Sequence, residues 1–195
     1  MKILIGALHE HRDAPGFLID GFPRTLSQAL EFERVVGRPR LVLHFHSELD
    51  ELEKRLLQRG KSSGRADDNL ETIRHRFNVF QSESLPVVHF YESRFMLVSI
   101  SSRPPIDQVY NVVQKYFRPL PFEGETIIFV TGGSGSGKRT QCGILSRLGY
   151  AHIRVSEIIR EEIQAGFHLS SKLKRDMMAG NPVPTVCFRN ARNLL

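Results

Sequence analysis

The stretch GGSGSGKRTQ, Gly132 to Gln141, has the residue types and spacing that hold phosphates. Gly132, Gly133, Gly135 and Gly137 let the backbone curl so that several N–H groups point inward, and a helix starting here adds the partial positive charge of its N-terminus. Lys138 closes the loop and can then reach the outer phosphates. A plain glycine turn between a strand and a helix would not need Gly-Lys at the helix start. The pattern G-x-x-x-x-G-K-[ST] is broken once: Arg139 stands at the hydroxyl position and Thr140 follows it, so Mg²⁺ lacks its usual direct protein oxygen there.

A second group lies earlier in the chain. In GFLIDGFPRTLSQALEFE, Asp20 ends an apolar run, where a carboxylate can hold a Mg²⁺-bound water beside a phosphate. Arg24 follows a turn shaped by Gly21 and Pro23 and is set to grip an anion; alone, this segment also reads as an ordinary strand end and helix cap. RLLQRGKSSGRADDNLETIRHRF then puts Arg55 and Arg59 four apart on one helical face, Arg65 in a Ser/Gly-rich loop and Arg76 in the next helix. Arginines converging from separate elements suit phosphoryl transfer, where electrostatic stabilisation does most of the work. A solvated charged face is the alternative.

The elements that must position these groups alternate between short apolar runs and amphipathic stretches, the pattern of a parallel sheet covered by helices. Strands are expected at 16–20, 41–45, 95–100, 126–132 and 152–155, and helices at 25–36, 49–58, 69–80 and 109–117. RPLPFEGE, residues 118–125, has two prolines and a glycine without periodicity and reads as a connector. TVCFRNARNLL at 185–195 has weak helical spacing and reads as an unfinished helix.

With 195 residues, 41% hydrophobic, the chain can bury one substantial core. The formal charge of +6 would suit a nucleic-acid or membrane surface, but the arginines recur at motif-like places instead of in a basic tail, which favours a polyanionic small ligand. Cys142 and Cys187 lie far apart without metal-ligand spacing, so a reducing, cytoplasmic setting is expected. MKILIGALHEHRD lacks a small-residue cleavage site and is not read as a signal peptide, and no apolar run approaches a membrane span. His44 and His46 share a strand face, yet two histidines without a third ligand read as strand residues. His152 reads as structural, and Phe77, Phe80, Phe90 and Tyr91 as core.

GFLIDGFPRT, SGRADDNLETIRHRF, LPVVHFYE, GGSGSGKRTQC and MAGNPVP together resemble successive motifs of the nucleoside monophosphate kinases, most closely the short adenylate kinases. The resemblance spans most of residues 16–117 and 126–184. It implies an α/β P-loop fold, a five-stranded parallel sheet in three layers with a monophosphate clamp and a lid, and transfer of the γ-phosphoryl of MgATP to AMP. By resemblance, Gly133, Gly135, Ser136, Gly137, Lys138, Arg139 and Thr140 would hold the ATP phosphates, and Arg55 would lie against the ATP base. Arg24 and Arg160 would hold the monophosphate, with Gly21, Gln28 and Val183 around AMP. Arg59, Arg65 and Arg76 would neutralise the transferring phosphoryl. Asp67 and Asp68 belong to the lid, and Asp20 to a water network around Mg²⁺, with no direct metal ligand from the protein. Closure would exclude water so that AMP attacks.

The order of these motifs is inverted relative to the family, which places the phosphate loop first. Residues 1–117 resemble the carboxyl-side half of such a kinase, 118–125 a linker, and 126–195 the phosphate-loop half with a truncated clamp. The chain then reads either as a circular permutant or as a piece of a tandem kinase holding the back of one copy and the front of the next; the ending VCFRNARNLL favours the second origin. Exposed half-sheets are poorly stable, so burial should join the halves, within one chain or by swapping in a homodimer.

Several positions depart from the family. Arg139 replaces a glycine beside the phosphates, where it would crowd Mg²⁺ or add a phosphate contact. Val155 and Ser156 replace Thr and Gly, Pro104 replaces a glycine, and His46 an aspartate. The leading expectation is an ATP:AMP phosphotransferase with small-molecule substrates and neither nucleic-acid nor membrane partners. UMP/CMP kinase is the enzymatic rival, disfavoured by Gln28; a nucleotide-binding protein without turnover is the alternative of a different class.

Overall fold

Every apolar run read as a strand is one in the computed structural model, which describes residues 1–63, 69–117, 126–166 and 170–181. In chain order the elements are α1 (Lys2–Glu10), β1 (Gly16–Asp20), α2 (Leu26–Val35), β2 (Leu41–His46), α3 (Leu49–Ser63) and α4 (Leu70–Val79). A π-helical turn, Phe80–Ser84, leads into α5 (Leu85–Glu92), followed by β3 (Leu97–Ser101) and α6 (Ile106–Val113). The remainder is β4 (Thr126–Gly132), α7 (Lys138–Leu145), β5 (Ala151–Arg154), α8 (Val155–Gln164) and α9 (Ser170–Ala179). The connector 118–125 and the stretch 185–195 lie outside the described residues.

The strands pair in parallel in the order β3-β2-β4-β1-β5. β4 therefore sits at the centre, with β2 on one side and β1 on the other, so strands from both sides of residues 118–125 share one continuous sheet. Along β1 and β4 the register sets Ile19 beside Phe129 and Asp20 beside Val130.

Both faces of this sheet are buried, as parallel sheets require. Successive side chains point to opposite faces, and the two cores follow that period. Phe17, Ile19, Ile127 and Phe129 join the core covered by α1, α2, α5 and α8, where Leu4, Phe32, Tyr91 and Ile159 are buried. Leu18, Ile128 and Val130 join the opposite core, under Val109 and Val113 of α6 and Cys142 and Leu145 of α7. A third cluster, Leu52, Leu56, Ile73 and Phe77, fastens α3 to α4.

The expected boundaries shift in places for local reasons. The third strand begins at Leu97, not residue 95: Phe95 has φ +57, its N–H donates to the Glu92 carbonyl, and its side chain is 99% exposed in the turn leaving α5. The fifth strand runs 151–154, because Val155 already opens α8. Thr25 and Asn69 cap α2 and α4, their side-chain oxygens accepting the N–H groups of Gln28 and Thr72. Helix α1, formed by the opening apolar run, was not expected; Met1 and Leu4 are each only 1% exposed against the α1-side core. Among the described residues, no helix is long and apolar enough to cross a membrane.

Candidate active site

The carboxyl ends of β1, β4 and β5 open into a cleft of about 400 Å³, where ligands of open α/β sheets bind. Asp20 ends β1, Gly132 ends β4 and Arg154 ends β5, and all three line it.

The phosphate loop is built by close backbone approach. Gly132 has φ +142, and a Cβ there would lie 2.2 Å from the Phe45 carbonyl oxygen, so no other residue fits. A Cβ on Gly135, φ +81, would meet the Leu52 carbonyl oxygen and Leu56 Cγ, each at 3.1 Å. Helix α3 thus backs the loop from a segment some eighty residues upstream. Gly137, φ +79, is the residue from which α7 starts.

Lys138 folds back over the loop, donating to the carbonyls of Gly132 and Gly133 at 2.9 Å each and lying 3.4 Å from Ser136 Oγ. Its ammonium is pushed down to about 8, first by desolvation; Asp20 opposes this, while Arg24 and Arg59 add to it. Gly135, Ser136, Gly137, Arg139 and Thr140 line the cleft with it, and Gly133 is buried behind the loop.

Arg24 is reached by water along the cleft, yet protein surrounds its guanidinium closely enough to lower its pKa, by desolvation first, then by Arg76 and Arg160, with Asp20 opposing. Its Nε donates to the Gly21 carbonyl at 3.0 Å and its backbone N–H to Gln28 Oε1 at 2.8 Å. Gln28 is 2% exposed. The cleft therefore gathers Gly21, Arg24, Gln28, Arg55, Arg59, Arg76, Lys138 and Arg160 around Asp20. Arg55 also pairs with Glu51 at 2.7 Å. Arg65, Asp67, Asp68 and Val183 lie outside the described residues.

Four features were not legible in local sequence. Phe80, expected in the core, forms part of the cleft wall, its ring parallel to His44 within 17°; the π-helical turn places it there. Ser84 of the same turn donates to the Arg24 carbonyl at 3.0 Å. Glu157 pairs with Arg139 at 2.8 Å and with Arg154 at 2.6 Å. Asn181, also in the wall, has its Oδ1 2.9 Å from His75 Nε2.

Among the positions that depart from the family, Val155 is 5% exposed and packs in the core, and Ser156 lines the cleft. His152 Nε2 lies 3.5 Å from Asp20 Oδ2, close enough for attraction but without hydrogen-bond geometry. His44 is buried on β2 with Nδ1 3.3 Å from Ser99 Oγ, and is pushed down to about 4 by desolvation first, then by His46 and Lys138. Among the described residues, no group of three or more His, Cys, Asp or Glu could hold a metal ion.

The adenylate kinase family model matches residues 1–96, and an AAA domain model matches residues 131–191. The chain is 43% identical over 102 residues to uridylate kinase of Saccharomyces cerevisiae, covering 52% of this chain and 50% of that one. It is 44% identical over 120 residues to UMP-CMP kinase 3 of Arabidopsis thaliana, 61% of this chain and 58% of the relative. It is 43% identical over 98 residues to adenylate kinase isoenzyme 1 of Sus scrofa, half of each. The chain spans about half the length of these curated relatives. With its five-stranded parallel sheet and a phosphate loop closed by Lys138, the chain is similar over about half its length to nucleoside monophosphate kinases.

Proposed function

We propose that this chain is an ATP:AMP phosphotransferase, carrying the γ-phosphoryl of ATP to AMP to give two diphosphates. The observation that carries this reading is the convergence of Lys138, Arg24, Arg59, Arg76 and Arg160 on one cleft, supplied by segments on both sides of residues 118–125. So many cations repel one another in one cleft; a polyphosphate offsets that repulsion and the transition state, with its spread negative charge, more so.

In this reading the loop from Gly133 to Thr140 holds the ATP phosphates and Arg55 lies by the ATP base. Arg24 and Arg160 hold the monophosphate, beside Gly21, Gln28 and Val183. Arg59, Arg65 and Arg76 neutralise the transferring group, and Asp67 and Asp68 belong to a lid. Of the two carboxylates on the cleft wall among the described residues, Glu157 is taken up by arginines, which leaves Asp20 for a hydrated cation. Mg²⁺ would arrive on the nucleotide, with Asp20 holding its water; when bound it neutralises phosphate charge.

Residues 1–117 then act as the carboxyl-side half of the kinase and 126–195 as the phosphate-loop half, joined through 118–125, in a permuted order or as a piece of a tandem protein. A swapped homodimer would join the same halves between chains. A cytoplasmic setting suits the buried thiol of Cys142.

A second reading concerns the acceptor base. Two of the relatives are named as uridylate and UMP-CMP kinases, which favours a pyrimidine monophosphate; the buried amide of Gln28 favours adenine. A panel of AMP, UMP and CMP with MgATP separates them: ADP formation fastest with AMP supports the first reading, and fastest with UMP or CMP replaces it with the second.

A further inference from the structure

Arg139 follows Lys138 in the first turn of α7 and lines the cleft, and its guanidinium is paired with a carboxylate of α8. Its Nη2 donates to Glu157 Oε1 at 2.8 Å. The other oxygen of the same carboxylate, Oε2, accepts from Arg154 Nη1 at 2.6 Å. Glu157 stands in the first turn of α8, the helix that also carries Arg160. One carboxylate, with a side chain 25% exposed, therefore holds two arginines from two other elements, the phosphate-loop helix and the end of β5.

The consequence is a cation withheld. An arginine beside Lys138 is free to add a charge-assisted bond to any phosphate in the loop. Such a bond would form with bound ATP and bound ADP alike, and uniform binding of that kind slows release without speeding the chemical step. Glu157 gives the guanidinium another anion, and Arg154 keeps that carboxylate in place.

We propose that Glu157 is a positioning residue that holds Arg139 away from the phosphate loop and so keeps nucleotide affinity low. This rests on the phosphate-loop reading of Gly132 to Lys138, but not on turnover.

The test is an equilibrium titration with MgATP of the unmutated chain, Glu157→Gln, Arg139→Ala and the double variant, at low and high salt, with thermal melts to confirm folding. In Glu157→Gln the freed arginine is expected to tighten binding roughly fivefold or more and to steepen its salt dependence. In the Arg139→Ala background the same change is expected to shift affinity less than about twofold, since the arginine next to Lys138 is gone and only Arg154, at the end of β5, is released. Glu157→Ala should repeat the pattern if Glu157→Gln does not fold. Equal tightening in both backgrounds would mean only that a repelling charge was removed and would overturn the proposal, as would unchanged affinity or no ATP binding by any variant. ADP formation, followed in parallel, separates the two readings: coupled tightening without any ADP formed removes the phosphotransferase and leaves the positioning role standing.

Discussion

The hydroxyl of Ser84 donates to the backbone carbonyl of Arg24 at 3.0 Å, joining residues sixty apart in sequence. Ser84 is 5% exposed, and the π-helical turn Phe80–Ser84 delivers it to the segment between β1 and α2. The bond fixes the backbone from which the Arg24 side chain enters the cleft. Ser84→Ala is expected to lower stability by about 1–2 kcal/mol, read from denaturant midpoints, because it leaves that carbonyl without its donor. It should also raise the KM for AMP more than that for ATP, and Ser84→Thr should restore both. Equal effects on the two substrates would assign the bond to folding alone.

Lys138 sets a pH dependence with a definite sign. Its pKa falls from 10.5 unfolded to about 8 folded, so the unfolded chain binds more protons between these values. The contribution of this group to stability is fully present above about pH 10.5 and is lost as pH falls through about 8. Nucleotide affinity runs the other way, since phosphate needs the ammonium. ATP binding is expected to weaken as pH rises through about 8, and Lys138→Met should remove that step. A flat profile in the unmutated chain between pH 7 and 9 contradicts this.

His44 gives a second pH dependence, on the acid side. Burial lowers it from 6.5 to about 4, so its contribution to stability is present above 6.5 and is lost as pH falls through about 4. His44→Phe, which can keep the stacking on Phe80, is expected to flatten the acid limb of the stability curve in that window. An unaltered acid limb would show that His44 does not govern it.

Gly132→Ala is expected to cost at least about 2 kcal/mol, because φ of +142 is strained for alanine and the new Cβ would lie 2.2 Å from a backbone carbonyl oxygen. ATP binding should be lost with it. A variant that melts with the unmutated chain would show the loop to be more adaptable than its contacts indicate.

Phe32→Ala probes the core behind the Arg24 side of the cleft. Phe32 is fully buried, with its ring centroid 4.9 Å from that of Phe129 and 5.7 Å from that of Phe22. The loss is expected to be about 3–5 kcal/mol by denaturant titration. A loss below about 1 kcal/mol would mean that the α2 face collapses to refill the space.

Much of this was legible in sequence for physical reasons. The strands announced themselves because both faces of the sheet are buried, so runs such as FLI at 17–19 and IIFV at 127–130 are apolar throughout. The phosphate loop was legible because tight turning leaves only glycine at Gly132, Gly135 and Gly137. What local spacing does not encode is contact between distant segments. Glu157 reads as one acidic residue on an amphipathic helix until Arg139 and Arg154 are seen on its two oxygens. Ser84 reads as a turn residue until Arg24 lies beside it. Phe80 has the hydrophobicity of a core residue, and only the π-helical turn puts it in the cleft wall.

The central claim is that segments on both sides of residues 118–125 form one phosphotransfer site. Its most direct test is ADP production from MgATP plus AMP by the purified chain, separated by size so that monomer and dimer are assayed apart. The expected result is ADP formation that requires both nucleotides and is abolished by Lys138→Met in the same fraction. ATP binding without ADP formation in any fraction, with AMP, UMP or CMP as acceptor, would contradict it.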